Sequence, residues 1–165
     1  MAPLKDVCNV LTKYGGHAGD TAGIHIHASM RDVNMRSLAE DINVACSTGK
    51  WNALMKAVSL RNNLERFNRY ANLSEPASSH HAGISYNGHG TVEFRIFNSS
   101  TDYRQILKMI KFVKETFSMF ITSQKRKFSP EVAVFIDSCA KSQLEKGFIT
   151  QDEYDLVTKE FVLCA

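Results

Sequence analysis

TVEFRIF, residues 91–97, alternates polar and apolar side chains from Thr91 to Ile96 and ends on Phe97. A period of two is typical of a β-strand that buries one face. The pattern predicts an apolar face of Val92, Phe94 and Ile96 and a polar face of Thr91, Glu93, Arg95 and Phe97.

A second stretch, GIHIHAS at residues 23–29, shows the same period. Ile24 and Ile26 alternate with His25 and His27, so the two imidazoles point to the same side of the predicted strand. Residues 82–86, just before the turn NGHG, predict a short third strand that forms a hairpin with residues 91–97.

Apolar residues at helical spacing occupy most of the remaining chain. In the first half of the chain the pattern predicts helices over 4–14, from the Asn34 cap to about 45, and over 51–60 with a continuation through 61–70. In the second half it predicts a helix from the Asp102 cap to 125–127 and another from Ser129 and Pro130 to Gly147. A last helix follows the capping box at Thr150 and Glu153. The fold class that follows is α+β, with a small antiparallel sheet covered by helices and a helical C-terminal segment over 129–165.

Length and composition predict one folded domain over residues 1–165. The chain is 44% hydrophobic and 22% charged, which excludes disordered and collagen-like classes, and its net charge of +3 allows an anionic partner without requiring one. No apolar run is long enough to span a membrane, so we expect a cytoplasmic protein without membrane contact. The scattered Cys8, Cys46, Cys139 and Cys164 predict reduced structural thiols.

The polar faces of the two main strands carry the residues with the clearest chemical potential. If the strands are neighbours, His25, His27, Glu93 and Arg95 form the floor of a pocket. Two imidazoles and a carboxylate can bind a divalent ion, and a guanidinium can bind a phosphate or carboxylate through two hydrogen bonds. The alternative interpretation is a half-exposed polar surface with an ordinary surface ion pair.

Two further groups have both a functional and an ordinary interpretation. His80, His81 and His89 lie in the polar, glycine-containing stretch 74–90, which predicts either a lid over a substrate or a solvated loop. Lys125, Arg126 and Lys127 follow the long helix, where basic residues either contact nucleic acid or interact with the helix dipole.

The order of motifs in the middle of the chain resembles the C-terminal half of the amidoligase family, carboxylate-amine ligases related to glutamate-cysteine ligase. The motifs are GIHIHAS, then RFNRY, then HHAGISYNGHGTVEFRIFNSST, followed by a long amphipathic helix. The resemblance covers about residues 23–120. It implies an antiparallel sheet curved around a site where ATP and Mg²⁺, or another divalent metal, activate a carboxylate as an acyl phosphate. It also implies that His25 and Glu93 are metal ligands and that Arg95 is the catalytic residue that neutralises the transferring phosphate. His27, on the same face of its strand as His25, is predicted to bind the substrate.

The sequence also departs from the family pattern. Such ligases begin with strands that carry paired glutamates for the metal ions, whereas Asp6 and Asp20 are the acids that precede His25 here, and Ser99 stands where the family tends to have glycine. We therefore expect an incomplete amidoligase-like domain that binds a nucleotide or carboxylate with a divalent metal and is an enzyme only if another segment supplies the acids.

The alternative hypothesis is a non-catalytic interaction protein of a phage or mobile element that binds and inhibits a host protein or nucleoprotein. Under either hypothesis we expect an open sheet edge, and therefore a homo-oligomer, most simply a dimer, or a partner protein that pairs along that edge.

Overall fold

A computed structural model describes residues 2–19, 22–122 and 127–163 of the chain. Within these ranges the chain forms seven α-helices, three β-strands and a short π-helical turn. Their bounds are α1 Ala2–Lys13, β1 Gly23–Ala28, α2 Met35–Cys46, α3 Gly49–Val58, α4 Leu64–Tyr70, β2 Ile84–Asn87, β3 Thr91–Asn98, α5 Tyr103–Thr122, α6 Pro130–Glu145, α7 Gln151–Val157 and the π-helical turn Thr158–Val162.

The three strands form one antiparallel sheet in the order β1-β3-β2. The two strands that carry the polar faces are therefore neighbours, and His27 pairs directly with Glu93. Helices α2 and α5 contact the sheet, and α6 and α7 pack on α3 at the far side of the same core. The predicted α+β class, a small antiparallel sheet with helices, is confirmed.

A bulge interrupts the pairing of β1 with β3. Ile24 pairs with Phe97 and Ile26 pairs with Phe94, so between these pairs β1 contributes His25 alone while β3 contributes two residues. The extra residue reverses the alternation of β3 beyond this point. Phe97 is consequently fully buried, and its predicted place on the polar face was wrong.

The predicted helical continuation from 51–60 through 61–70 was also wrong. Helix α3 ends at Val58, and α4 begins only at Leu64, where the Asn63 side chain accepts a hydrogen bond from the Arg66 backbone N–H. Leu60 between them has a φ of 55°, the left-handed region that a non-glycine residue rarely adopts. This turn directs Arg61 back toward the sheet instead of along a helix.

The cysteines that the structure describes are buried, free thiols: Cys8, Cys46 and Cys139. Burial raises the pKa of the Cys139 thiol to about 12 and raises that of Cys46 as well, so both stay protonated. Cys164 lies outside the described residues.

None of the helices in the described ranges combines the length and the apolar character needed to cross a bilayer.

Candidate anion-binding site

A surface cavity of about 170 Å³ lies at the bulged end of the sheet. Three arginines line it together with an imidazole, a phenol and two small residues: Arg61, Arg66, Arg95, His25, Tyr70, Ala22 and Gly23. We call this cavity the arginine cleft. Its lining contains no aspartate or glutamate, so the local charge is positive.

Arg61 is held against the bulge by its guanidinium group. Its Nε donates to the carbonyl oxygen of Ile96 at 3.2 Å, and its Nη2 donates to that of Arg95 at 3.1 Å. The residue is only 7% exposed. Arg61 therefore satisfies the carbonyl groups of the two bulge residues while it lines the cleft.

Gly23 makes this approach of Arg61 to the sheet sterically feasible. A Cβ atom at position 23 would lie 2.6 Å from Arg61 Nη2 and 3.0 Å from the carbonyl oxygen of Phe97. The first distance is shorter than any normal nonbonded contact, so a larger residue at position 23 would force the Arg61 guanidinium away from the strand.

The C-terminal helical segment supports the Arg61 loop from behind. Gln143 of α6 is fully buried and donates through Nε2 to the Arg61 carbonyl oxygen at 2.9 Å. Lys146, just after α6, donates to the Asn62 side-chain oxygen at 2.9 Å. The segment over 129–165 thus helps to position a residue of the cleft.

Arg66 and Tyr70 reach the cleft from α4. They are four residues apart and so lie on the same side of the helix, and the Arg66 guanidinium carbon is 6.0 Å from the centre of the Tyr70 ring. Arg69 also contacts the Tyr70 ring, at 5.4 Å, but it is absent from the cleft lining. One helix therefore presents two arginines to the same aromatic ring, and only one of them faces the cleft.

Glu93 and Arg95 lie two residues apart on β3. Arg95 Nη1 is 3.7 Å from Glu93 Oε2, which is longer than a hydrogen bond. Arg95 Nε is buried and has no hydrogen-bond partner among the residues that the structure describes. Arg95 thus lines the cleft and has at least one donor, its buried Nε, that lacks a partner in the described part of the chain.

Glu93 is buried on the polar side of the sheet, where its carboxylate contacts both strand histidines. Its Oε1 accepts from His25 Nδ1 at 2.8 Å and lies 3.6 Å from His27 Nε2, while its Oε2 accepts from the Ser85 hydroxyl at 3.2 Å. The structure thus brings together the four predicted residues His25, His27, Glu93 and Arg95, although His27 lies outside the cleft lining.

The protonation state of His25 follows from these contacts. Burial lowers the pKa of His25, the positive charge of Arg95 adds to the lowering, and Glu93 opposes it. His25 is therefore the neutral, Nδ1-protonated tautomer near pH 7, with its Nε2 lone pair available. His27 Nδ1 accepts from Asn87 Nδ2 at 2.8 Å and lies 3.0 Å from the Thr91 hydroxyl oxygen.

The residues present do not fit the magnesium ion that the family resemblance implies. Mg²⁺ prefers six oxygen ligands, whereas Glu93 supplies one carboxylate whose two oxygens already have partners. In the part of the chain that the structure describes, no group of three or more histidine, cysteine, aspartate or glutamate residues is arranged to hold a metal ion. Of the two acids upstream of His25, Asp6 lies on α1 and Asp20 lies outside the described residues.

The three loop histidines lie in two different places. The rings of His80 and His81 are 3.9 Å apart, and His81 lies 6.2 Å from the Tyr70 ring, so this pair is next to one wall of the cleft. His89 is exposed in the turn between β2 and β3 and is absent from the cleft lining. Neither position tests the lid interpretation.

Lys127 is exposed, whereas Lys125 and Arg126 lie outside the described residues.

Sequence reasoning missed Arg61, Arg66 and Tyr70 as site residues. The stretch RFNRY contains Arg66 and Tyr70, and their spacing of four within a helix was an available signal. Arg61 had no such signal, because its role depends on the break after α3 and on a bulge in a strand 35 residues away.

Comparison with known proteins gave no match among protein-family models, curated proteins or solved structures.

Proposed function

We propose that this chain is an amidoligase-like domain that binds the phosphate or carboxylate group of a small ligand in the arginine cleft. The observation that carries the proposal is the convergence of Arg61, Arg66 and Arg95 on one cavity whose lining has no acidic residue. Guanidinium groups bind planar or tetrahedral oxyanions through paired hydrogen bonds.

The arginines have different capacities for a ligand. Arg61 uses Nε and Nη2 to bind backbone carbonyls, so it acts mainly as a fixed positive charge. The Arg66 guanidinium carbon is 6.0 Å from the centre of the Tyr70 ring and Arg66 lines the cleft, while Arg95 Nη1 is 3.7 Å from Glu93 Oε2. Arg66 and Arg95 are therefore the ligand-binding arginines of the proposal, and Arg95 corresponds to the residue that the resemblance assigns to phosphate.

The neutral imidazole of His25 suits a ligand of this kind. Its Nδ1–H is used by Glu93, so its Nε2 can only accept a hydrogen bond while the ring stays neutral. A ligand that carries both an anionic group and a hydroxyl or amine would satisfy the arginines and the imidazole together. Metal ions enter no part of this proposal, because the described residues do not fit one.

Isothermal titration calorimetry of the whole chain tests the proposal with two probes, pyrophosphate for phosphate and succinate for carboxylate. We expect one of them to bind the wild-type protein and to bind an Arg66→Gln variant about tenfold more weakly or worse, a loss of about 1.4 kcal/mol. The probe that binds more tightly identifies the chemical source of the anionic group.

Arg69→Gln is the matched control. It removes the same charge from the same helix beside the same Tyr70 ring, but from a position outside the cleft lining. We expect its affinity to stay within about twofold of the wild type in about 0.15 M salt, because Arg69 is exposed and does not line the cleft. Equal weakening by the two variants, or binding of neither probe, would contradict the proposal.

A further inference from the structure

Strand β1 is an edge of the sheet. The order β1-β3-β2 leaves its side away from β3 without a strand neighbour among the described residues. Exposed edges are commonly protected by lysine, proline or a bulge within the edge strand. Gly23–Ala28 contains neither lysine nor proline, and the extra residue of the bulge is in β3. This edge therefore keeps the capacity to pair with another strand.

The side chains of β1 are incompletely covered on both faces. Every second residue is exposed, and Ile24, Ile26 and Ala28 on the apolar face are only half-buried, whereas Val92, Phe94 and Phe97 opposite them on β3 are fully buried. Burying further apolar surface on Ile24 and Ile26 would be favourable. The apolar layer of the sheet thus ends at β1 before its side chains are fully packed.

The sequence of β1 matches itself in the antiparallel direction. With Ile26 opposite Ile26 of a second copy, Ile24 faces Ala28 and His25 faces His27 of that copy, so apolar residues meet apolar ones and imidazoles meet imidazoles. A shift by one residue would place isoleucine opposite histidine along the whole strand. A two-fold axis through His25 would also keep the faces matched, but it would place Gly23 opposite His27. The axis through Ile26 pairs a side chain with a side chain at every position from Ile24 to Ala28.

We propose that a second copy of this chain binds along β1, in an antiparallel arrangement with its two-fold axis at Ile26. The result is a continuous six-stranded sheet. His27 of the second copy then lies beside His25 at the margin of the arginine cleft, so each copy contributes a residue next to the other copy's site. The proposal is independent of the anion-binding proposal, because it depends on the strand edge and not on the arginines.

Sedimentation of the whole chain across a micromolar concentration series gives the first measurement. We expect the mass to rise from 18.5 kDa toward twice that value. Hydrogen exchange measured at the same concentrations should show slower exchange in residues 23–28 as concentration rises, with no change in β2 residues 84–87, which lie at the opposite edge. A mass that stays at one copy, or a dimer without protection of 23–28, would overturn the proposal.

Single cysteines test the register in a Cys164→Ala background, since the other native cysteines are buried. An Ile26→Cys variant should form a disulfide-linked dimer on mild oxidation, because residues directly opposite in antiparallel strands bring their Cβ atoms to about 4.5–5.5 Å. Ile24→Cys is the matched control, because in this register its two copies are four residues apart along the strand. Equal cross-linking of the two variants would refute the register, and the wild-type exchange measurement remains decisive if a variant fails to fold.

Discussion

The Nη2 atom of Arg61 donates a hydrogen bond to the carbonyl oxygen of Arg95 at 3.1 Å. The bond joins the turn between α3 and α4 to the bulge in β3, and both residues line the arginine cleft. The geometry of the cleft and the stability of the sheet therefore depend on the same guanidinium group.

Replacing Arg61 with lysine should destabilise the fold although it keeps the charge. A single ammonium cannot reproduce the paired bonds to the carbonyls of Arg95 and Ile96, so at least one buried acceptor loses its partner. We expect a loss of about 2–4 kcal/mol in the free energy of unfolding, measured by urea denaturation. The control is Arg36→Lys at an exposed ion pair with Glu40, expected within about 0.5 kcal/mol of wild type. A loss at position 61 no larger than the control would contradict the structural role.

Alanine at position 23 should displace the Arg61 side chain. Its Cβ would lie 2.6 Å from Nη2, so we expect a cost of about 1–3 kcal/mol in unfolding free energy. An Arg61→Ala background removes the contact with Nη2 but keeps the 3.0 Å approach to the Phe97 carbonyl oxygen, so the cost of Gly23→Ala should fall by at least about 0.5 kcal/mol without vanishing. Gly88→Ala serves as the control, because no atom lies within 4 Å of its added Cβ. Additive effects of the two substitutions would show that Gly23 does not act through Arg61.

Anion binding in the cleft should not require a divalent metal ion. The positive charge comes from three arginines, and the described residues include no metal-binding group. The affinity of the better probe, pyrophosphate or succinate, should be the same in EDTA and in millimolar Mg²⁺ once binding of the metal to the free probe is taken into account. A requirement for Mg²⁺ that is abolished by Glu93→Gln would instead support the ligand role that the resemblance gives to Glu93.

The Lys56–Glu153 ion pair should stabilise the fold in a pH-dependent way. Burial opposes ionisation of Glu153, but hydrogen bonds from Lys56 and Thr150 outweigh it and lower the pKa of the carboxyl group. Because the folded-state pKa is below the unfolded value, the stabilisation is present above that unfolded value, about 4.3, and is lost as the pH falls through the folded pKa.

Glu153→Gln isolates this effect, since glutamine can still complete the capping box at the start of α7. We expect it to lower the unfolding free energy by up to about 1 kcal/mol at pH 7, and the difference from wild type to vanish in acid. Glu145→Gln, at an exposed position at the end of α6, is the control and should change the unfolding free energy at pH 7 by less than about 0.5 kcal/mol. A difference that persists unchanged at pH 3 would mean that the ion pair is not its cause.

The sequence by itself determined the elements whose signals are local. Alternation over GIHIHA and TVEFRIFN specified two strands with polar and apolar faces, and Asn34, Ser129 and the Thr150–Glu153 pair marked helix starts that the structure confirms. These features depend on residues within one turn or one strand, so pattern and capping chemistry were sufficient to predict them.

Only the tertiary structure decided the bulge and the arginine cleft. The alternation from Thr91 to Ile96 predicted a regular strand, and it did not indicate that pairing with β1 would add a residue opposite His25 and bury Phe97. Likewise, Arg61 is an ordinary charged residue in sequence, and it becomes a site residue because Leu60 turns the chain and Gly23 leaves room on a distant strand. Contacts between residues far apart in the chain set these positions. Burial of the apolar side chains of the sheet and hydrogen bonds to the bulge carbonyls contribute more free energy than the local preferences for helix and regular strand.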